Sequence, residues 1–318
     1  MNSCNPSTQK GIEPDLSQTD DRLEPPLPNV SIVVLNWNNY EDTASCLRSL
    51  AEVSYPEMEV YVVDNGSTDG SHKRLAEEFE QYNFIFNSEN LGFAGGCNQA
   101  IKRVLKEGTD YVLLLNNDTV VQPDFLTPLV ETAEREDDVA AVGGIIRDMS
   151  GGVQSAGGSF NPWLATLRHR ENPESSVYET DFITGAMMLI EAEFLASLDG
   201  LNDSYFFGME DQELCWKADQ RDLRLLIEPR SVVRHDKGGS ASEASPFRYY
   251  HDTRNRLRFV GENISFAGSF LFYIFFAFSR IYRFGQWILS GRTGFVTATL
   301  SGAFDHIRGA EYRMTDDF

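Results

Sequence analysis

The chain predicts an α/β fold: a mostly parallel central sheet flanked by helices, followed by a helical C-terminal region. Two observations carry this. Short β-branched and aliphatic runs recur at Val30-Ser31-Ile32-Val33-Val34-Leu35, Val60-Tyr61-Val62-Val63 and Tyr111-Val112-Leu113-Leu114-Leu115, as expected of buried parallel strands. Helical stretches separate them, and strand alternating with helix argues for right-handed crossover units.

Taken in order, residues 1–28 are polar, carry Pro14, Pro25, Pro26 and Pro28, and have no apolar periodicity, so they read as an acidic, proline-rich disordered tail. From Asn29 the strand run begins, and helices are expected over 40–50, 68–81 and 94–106, with a weaker strand at 84–86. After a run at 139–146 the sequence loosens into glycine-rich and aromatic segments. A strand is expected at 187–190, a helix at 210–220, and two short strands at 225–227 and 232–234. Beyond Pro246 an arginine-rich helix leads into sixteen uncharged residues from Ile264 to Ser279. The division is therefore a tail at 1–28, a catalytic-sized domain at 29–245 and a helical region at 246–318, with no internal repeat.

Composition excludes several classes. With 48 acidic against 27 basic residues the net charge is −21, which repels duplex nucleic acid and disfavours general polyanion binding. Only six basic residues are lysines; abundant surface acid with scarce lysine suits solubility in concentrated salt, where self-repulsion is screened, and a halophilic source is expected. Cys4, Cys46, Cys97 and Cys215 lie far apart with no C-x-x-C pair, so neither a disulfide framework nor a zinc site is indicated. No positively charged N-terminal region precedes an apolar run, and cytosol is the expected compartment.

In open α/β sheets ligands bind at the carboxyl ends of strands. Here those ends are polar: Asn36-Trp37-Asn38, Asp64-Asn65-Gly66-Ser67-Thr68-Asp69-Gly70 and Asn116-Asn117-Asp118. Each is also ordinary turn chemistry, and it is the recurrence on three neighbouring strands that favours a site. Asp64 is placed to accept a nucleobase ring N–H, with Ser67 or Thr68 capping the next helix. Asp118, a hard carboxylate after an apolar strand, suits a divalent cation shared with a pyrophosphate. The segment Asn90-Leu91-Gly92-Phe93-Ala94-Gly95-Gly96-Cys97-Asn98 opens a helix with glycines that let backbone approach a ligand; it does not fit G-x-G-x-x-G, so no dinucleotide fingerprint is present.

Together these segments, with Thr184-Gly185-Ala186, Glu210-Asp211-Gln212-Glu213-Leu214-Cys215-Trp216 and His235 before Gly238-Gly239-Ser240, resemble the family-2 glycosyltransferases of the GT-A fold over residues 29–260. The nearest type is the rhamnosyltransferase-like enzymes of lipid-linked glycan assembly, and a haloarchaeal source is expected. The resemblance implies an inverting glycosyltransferase using a nucleoside-diphosphate sugar and Mg2+ or Mn2+. It implies donor contacts from Asn36, Trp37, Asp64, Asn90, Gly92, Gly96, Asn98 and Asn116, metal contacts from Asp118 and His235, and Asp211 as catalytic base. Asn116 departs from the Asp that opens the family's Asp-x-Asp signature. The acidic first turn around Asp211 also fits plain helix-dipole stabilisation.

Two other classes fit the residues less well. A sugar nucleotidyltransferase needs a basic, glycine-rich loop after the first strand to cradle a triphosphate, and Asn36-Trp37-Asn38-Asn39-Tyr40 has neither. A non-catalytic nucleotide- or glycan-binding subunit would have no use for Asp118, Asp211 and His235 together.

Sixteen uncharged residues fall short of the roughly twenty that span a bilayer. Residues 246–292 nevertheless carry seven Arg against Asp252 and Glu262, a local balance of +5, around many phenylalanines. That pattern suits a helix lying in the interface at the cytoplasmic face of the membrane, beside anionic headgroups. Arg254, Arg256 and Arg258 are candidates for an acceptor's phosphate groups, the acceptor being a glycan or a polyprenyl-phosphate- or pyrophosphate-linked glycan.

Overall fold

The computed structural model describes residues 26–235 and 245–310, together with Met1 and Tyr312. The expected tail at 1–28, apart from Met1 and residues 26–28, and the Gly238-Gly239-Ser240 segment lie outside the described residues. The chain runs β1 (Val30–Asn36), α1 (Tyr40–Leu50), β2 (Met58–Asp64), α2 (Ser71–Glu78), β3 (Asn83–Phe86), α3 (Gly92–Glu107), β4 (Tyr111–Asn116), β5 (Thr119–Val121), α4 (Leu126–Arg135), β6 (Val139–Arg147) and β7 (Val153–Ser155). It continues with β8 (Gly158–Asn161), β9 (Thr166–His169), β10 (Tyr178–Glu179), β11 (Met187–Glu191), α5 (Ala192–Ser197), α6 (Glu210–Asp219), β12 (Arg224–His235), α7 (Pro246–Asn263), α8 (Phe266–Leu289) and α9 (Thr293–Arg308).

The main sheet has the order β10-β12-β6-β11-β4-β1-β2-β3, with β5 added to β12 and β7 to β6. Alternate residues of β1 serve two cores. Ile32 and Val34 pack with Leu47 of α1, Leu75 of α2 and Leu129 of α4, and Val33 packs with Ile101 of α3, Leu195 of α5 and Leu214 of α6. Burial on both faces is why the strand sequences are apolar almost throughout.

The sheet is mixed rather than mostly parallel. β3, β2, β1 and β4 run parallel, but β11 pairs antiparallel with both β4 and β6. Between β6 and β11 lie only the short strands β7–β10 and no helix, so no crossover enforces a parallel return. The two strands expected at 225–227 and 232–234 are one strand, β12, whose register against β6 shifts between Ile227 and Val232. Pro229 sits in that shift, where its missing N–H is tolerated.

C-terminal α7 is held by α9. The Tyr250 hydroxyl donates to Asp305 Oδ2 at 2.7 Å, and a Cβ on Gly302 would lie 2.4 Å from Tyr250 O, so glycine permits the close crossing. α8 docks through Phe272 and Phe276 onto Leu257, Phe259 and Val260 of α7 and Tyr205.

Candidate active site

Register gathers the site at one sheet edge. The last residues of β1 and β2, Asn36 and Asp64, are partners, and Leu35 is opposite Asn116 at the end of β4. Antiparallel β11 starts at this edge, with Met187 opposite Leu115, and β12 finishes there with His235 opposite Thr119.

At the β1–β2 end, polar side chains hold one another. Asn36 is fully buried; its Nδ2 lies 2.8 Å from Asp64 Oδ1 and 3.0 Å from Ser71 Oγ, and its Oδ1 is 2.8 Å from the Thr43 hydroxyl. Asp64, 3% exposed, also accepts from Ser67 N at 2.9 Å. Each carboxylate oxygen keeps a second lone pair for a base N–H. Trp37 is half-buried beside this cluster in sequence. Ser67 and Thr68 do not cap α2, whose N-cap is Gly70 without a side-chain bond. Instead Ser67 Oγ accepts from Asn38 N at 2.9 Å, and Asn38 Oδ1, at a φ of 48°, accepts from Thr68 N at 2.8 Å, tying the two loops together.

Several residues expected to touch donor shape the site from within. Asn90 Oδ1 accepts from Gly92 N and from buried Asn65 Nδ2, at 2.9 and 2.8 Å. Gly96 is small because a Cβ would lie 2.6 Å from Leu35 Cδ1, which seats α3 against β1. Gly92 has a φ of 75°, and a Cβ there would lie 2.4 Å from Phe206 O, the same oxygen that accepts from Phe93 N at 3.0 Å. Asn98 is 2% exposed, with its amide bonded at 2.8 and 2.9 Å to the backbone O and N of Leu201. These contacts join the donor-side loop to the segment leading into α6.

Between β4 and β5 the chain presents Asp118. Its Oδ1 lies 3.0 Å from His235 Nε2, the two side chains being 13% and 16% exposed. Asp118 Oδ1 is buried and accepts no hydrogen bond. Asn116 Nδ2 sits 3.4 Å from the same Nε2, and Asn117 Nδ2 donates to Thr43 Oγ1 at 2.7 Å. A hard carboxylate oxygen without a hydrogen-bond donor, facing an imidazole nitrogen, is chemistry that fits Mg2+ or Mn2+. No third His, Cys, Asp or Glu joins them among the described residues.

Asp211, in the first turn of α6, accepts from Gly185 N at 3.2 Å and from Gln212 N at 2.9 Å. The next residue, Ala186, accepts through its carbonyl from Asn116 N at 3.1 Å. One short segment therefore spaces Asp211 from the Asn116–Asp118 turn. Burial pushes the Asp211 carboxyl up, against the pull of those two N–H groups. Burial pushes Glu210 up as well, and the charge of Asp211 adds to it. The two N–H donors favour the charged form of Asp211, whereas Glu210 Oε2 has no hydrogen-bond partner.

Sequence reasoning missed Gln154, which bonds to His235 at 3.0 Å, because nothing in Val153-Gln154-Ser155 marks a site until β7 is paired to β6. It also assigned three arginines to an acceptor, and the structure corrects this. Arg254 is 2% exposed and Arg256 9%; they donate to the carbonyls of Ser204 and Leu164 at 3.1 and 2.8 Å, and Arg258 reaches Ser204 O at 3.3 Å. They fasten α7 to the catalytic unit. Cys46, Cys97 and Cys215 are free and buried; Cys4 lies outside the described residues.

Comparison with known proteins places this geometry. The N-acetylglucosaminyl-diphospho-decaprenol L-rhamnosyltransferase of Mycobacterium tuberculosis is 24% identical over 220 residues, covering 61% of this chain and 71% of that one. The low-salt glycan biosynthesis hexosyltransferase Agl10 of Haloferax volcanii is 23% identical over 249 residues, covering 76% and 78%. Among solved structures, GalNAc-T7 with UDP, GalNAc and Mn2+ superposes with a TM-score of 0.58 at 18% identity, over 74% of this chain and 48% of that one, so the chain spans about half its length. The mannosyltransferase PcManGT from Pyrobaculum calidifontis, with GDP-Man and Mn2+, gives 0.52 at 16% identity, over 88% and 87%. The fold is GT-A-like. The model for glycosyl transferase family 2 matches residues 31–198, more than half of the chain, which therefore belongs to glycosyl transferase family 2 as a glycosyltransferase similar to rhamnosyl- and hexosyltransferases.

Proposed function

We propose that the protein is a metal-dependent, inverting glycosyltransferase that moves a sugar from a nucleoside-diphosphate donor to a hydroxyl of a glycan or lipid-linked acceptor. The observation that carries this reading is the pairing of Asp118 with His235 at 3.0 Å, while Gly185 and Ala186 bond to Asp211 on one side and Asn116 on the other. Asp64 would take the base N–H. Asp118 and His235 would hold Mg2+ or Mn2+, which when bound offsets the charge of the diphosphate.

Asp211 would remove the acceptor's hydroxyl proton as its oxygen attacks the anomeric carbon opposite the diphosphate. The bond to the diphosphate oxygen breaks and configuration inverts. One carboxylate base suffices because the leaving group departs as an anion, unlike the protonated alcohol of an inverting hydrolase.

Attachment to the cytoplasmic face of the membrane is part of the same reading. Among the described residues no helix is long and apolar enough to cross a bilayer. Phe266, Phe270, Ile274, Phe278 and Ile281 are exposed on α8, and Leu300, Phe304 and Ile307 on α9. An exposed apolar face of this extent, with Arg280, Arg283 and Arg292 nearby in sequence, supports interfacial docking on anionic lipid. The relatives named for diphospho-decaprenol chemistry and glycan biosynthesis support a lipid-linked acceptor.

The test is release of nucleoside diphosphate from a panel of donor sugars, with and without Mn2+ and a polyprenyl-diphosphate-linked acceptor, with product anomers assigned by NMR. Inverted product formed only with the metal is expected. Product of retained configuration, or undiminished turnover in chelator, would sink the corresponding part.

A further inference from the structure

We infer that Gln154 is a positioning residue that fixes the tautomer of His235 and so aims a lone pair at the cation position beside Asp118. The inference rests on the metal reading above and deepens it. Gln154 Nε2 donates to the backbone carbonyl of His235 at 2.8 Å. That bond settles which end of the amide is which, because a carbonyl can only accept. The amide oxygen therefore faces the ring, and Gln154 Oε1 lies 3.0 Å from His235 Nδ1. An oxygen there requires Nδ1 to carry a hydrogen.

In the neutral ring Nε2 then holds the lone pair, with one donor and one acceptor beside it. Asn116 Nδ2, a donor, lies 3.4 Å from it, and Asp118 Oδ1 lies 3.0 Å away with no hydrogen bond of its own. A carboxylate oxygen and an imidazole lone pair at that distance repel unless a cation or a proton lies between them. Metal-binding histidines characteristically donate their other N–H to an acceptor that sets ring orientation and basicity. Here one glutamine reads both the side chain and the backbone of His235. β7 places it there through pairing with β6, Ile146 opposite Ser155 and Arg147 opposite Val153.

The test uses the full chain labelled with 15N-histidine, the His235 signals being assigned by their loss in His235→Asn. At alkaline pH the metal-free wild type should show the Nδ1–H tautomer. Gln154→Met, of similar length but without an acceptor, should shift His235 towards Nε2–H and weaken binding of Mn2+ alone, followed by EPR of the free ion, about 10- to 100-fold. Gln154→Glu, which keeps an acceptor, should retain both properties. A folded Gln154→Met protein with the wild-type tautomer and Mn2+ affinity overturns the inference. If the wild type binds no Mn2+, or Asp118→Asn binds it equally well, the metal reading falls, and the tautomer comparison still decides the role of Gln154.

Discussion

Asn36 Nδ2 lies 2.8 Å from Asp64 Oδ1 across the register that ends β1 and β2, so the residue read as the base acceptor also accepts from a fully buried amide. Asp64→Ala should then do two things. It should weaken nucleoside-diphosphate binding, and it should lower stability by about 1–3 kcal/mol because buried donors lose a partner. Ser71→Ala, which removes another acceptor of the Asn36 amide, is the control, with a stability loss of the same origin but retained affinity. Equal loss of affinity in both variants, by calorimetry, would reduce Asp64 to a structural residue.

Asp118→Asn addresses the cation. A neutral amide oxygen is a poorer partner for a hard divalent ion than a carboxylate, so metal-dependent donor affinity should fall at least tenfold while metal-free nucleotide binding is unchanged. Calorimetry with and without Mn2+ separates the two.

For Asp211 the expected signature is kinetic. Asp211→Asn should keep donor affinity and lower turnover roughly 100- to 10,000-fold. Because burial raises the Asp211 carboxyl and a base must be ionised, wild-type kcat should fall, on acidification, at a pH above the ordinary aspartate range. A folded Asp211→Asn enzyme with near wild-type turnover removes it from the mechanism.

Glu210 gives a separate stability prediction. Its Oε2 is buried without a hydrogen-bond partner, and burial with the neighbouring charge raises its pKa. The folded chain thus holds the proton to higher pH than the unfolded chain. Between the unfolded and folded values the native state binds more protons, and stability declines as pH rises through that window. Glu210→Gln removes the Glu210 share of the decline: its melting temperature should exceed wild type at pH 8 and converge with it near pH 4.

For the membrane face, point substitutions are the cleaner test. Removing residues 262–318 would strip α9 from α7, including the Tyr250–Asp305 bond. Phe270, Phe278 and Ile281 are 57%, 70% and 67% exposed, so changing all three to Ser should not disturb the core. At about 1 kcal/mol for each partly inserted side chain, vesicle affinity should drop roughly a hundredfold, as read by flotation with anionic vesicles. Unchanged flotation rejects the interfacial reading.

The alternation of apolar runs and helices made β1, α1, β2, α3 and β4 legible, since each obeys its own period and ends on polar residues. What resisted was long-range pairing. The antiparallel insertion of β11 leaves no mark in Met187-Met188-Leu189-Ile190, which would be equally apolar in either direction. Motif order marked Asp118, His235 and Asp211 as candidates; the first two pair at 3.0 Å, and Asp211 bonds to Gly185, beside the Ala186 that pairs with Asn116. Asn98 looked equally ligand-like, yet its amide clamps Leu201, because a polar side chain on a loop-facing helix serves backbone or ligand with the same chemistry. The arginines of α7 misled for the same reason, their guanidinium groups meeting carbonyls rather than phosphates.

The antiparallel β11 also bears on the order in which the chain can fold. β1 to β4 find one another within residues 30–116, so the half carrying Asp64 and Asp118 can begin to pair while the remainder is still being synthesised. β6 gains β11 and β12 only once residues 187–235 are present, and contacts of long sequence separation form slowly. His235 ends β12, the last strand in chain order among the described residues. A chain arrested before β12 joins would hold Asp118 without its partner, so Mn2+ affinity followed during refolding should appear late, after most helical signal has returned, and would time the closing of the sheet.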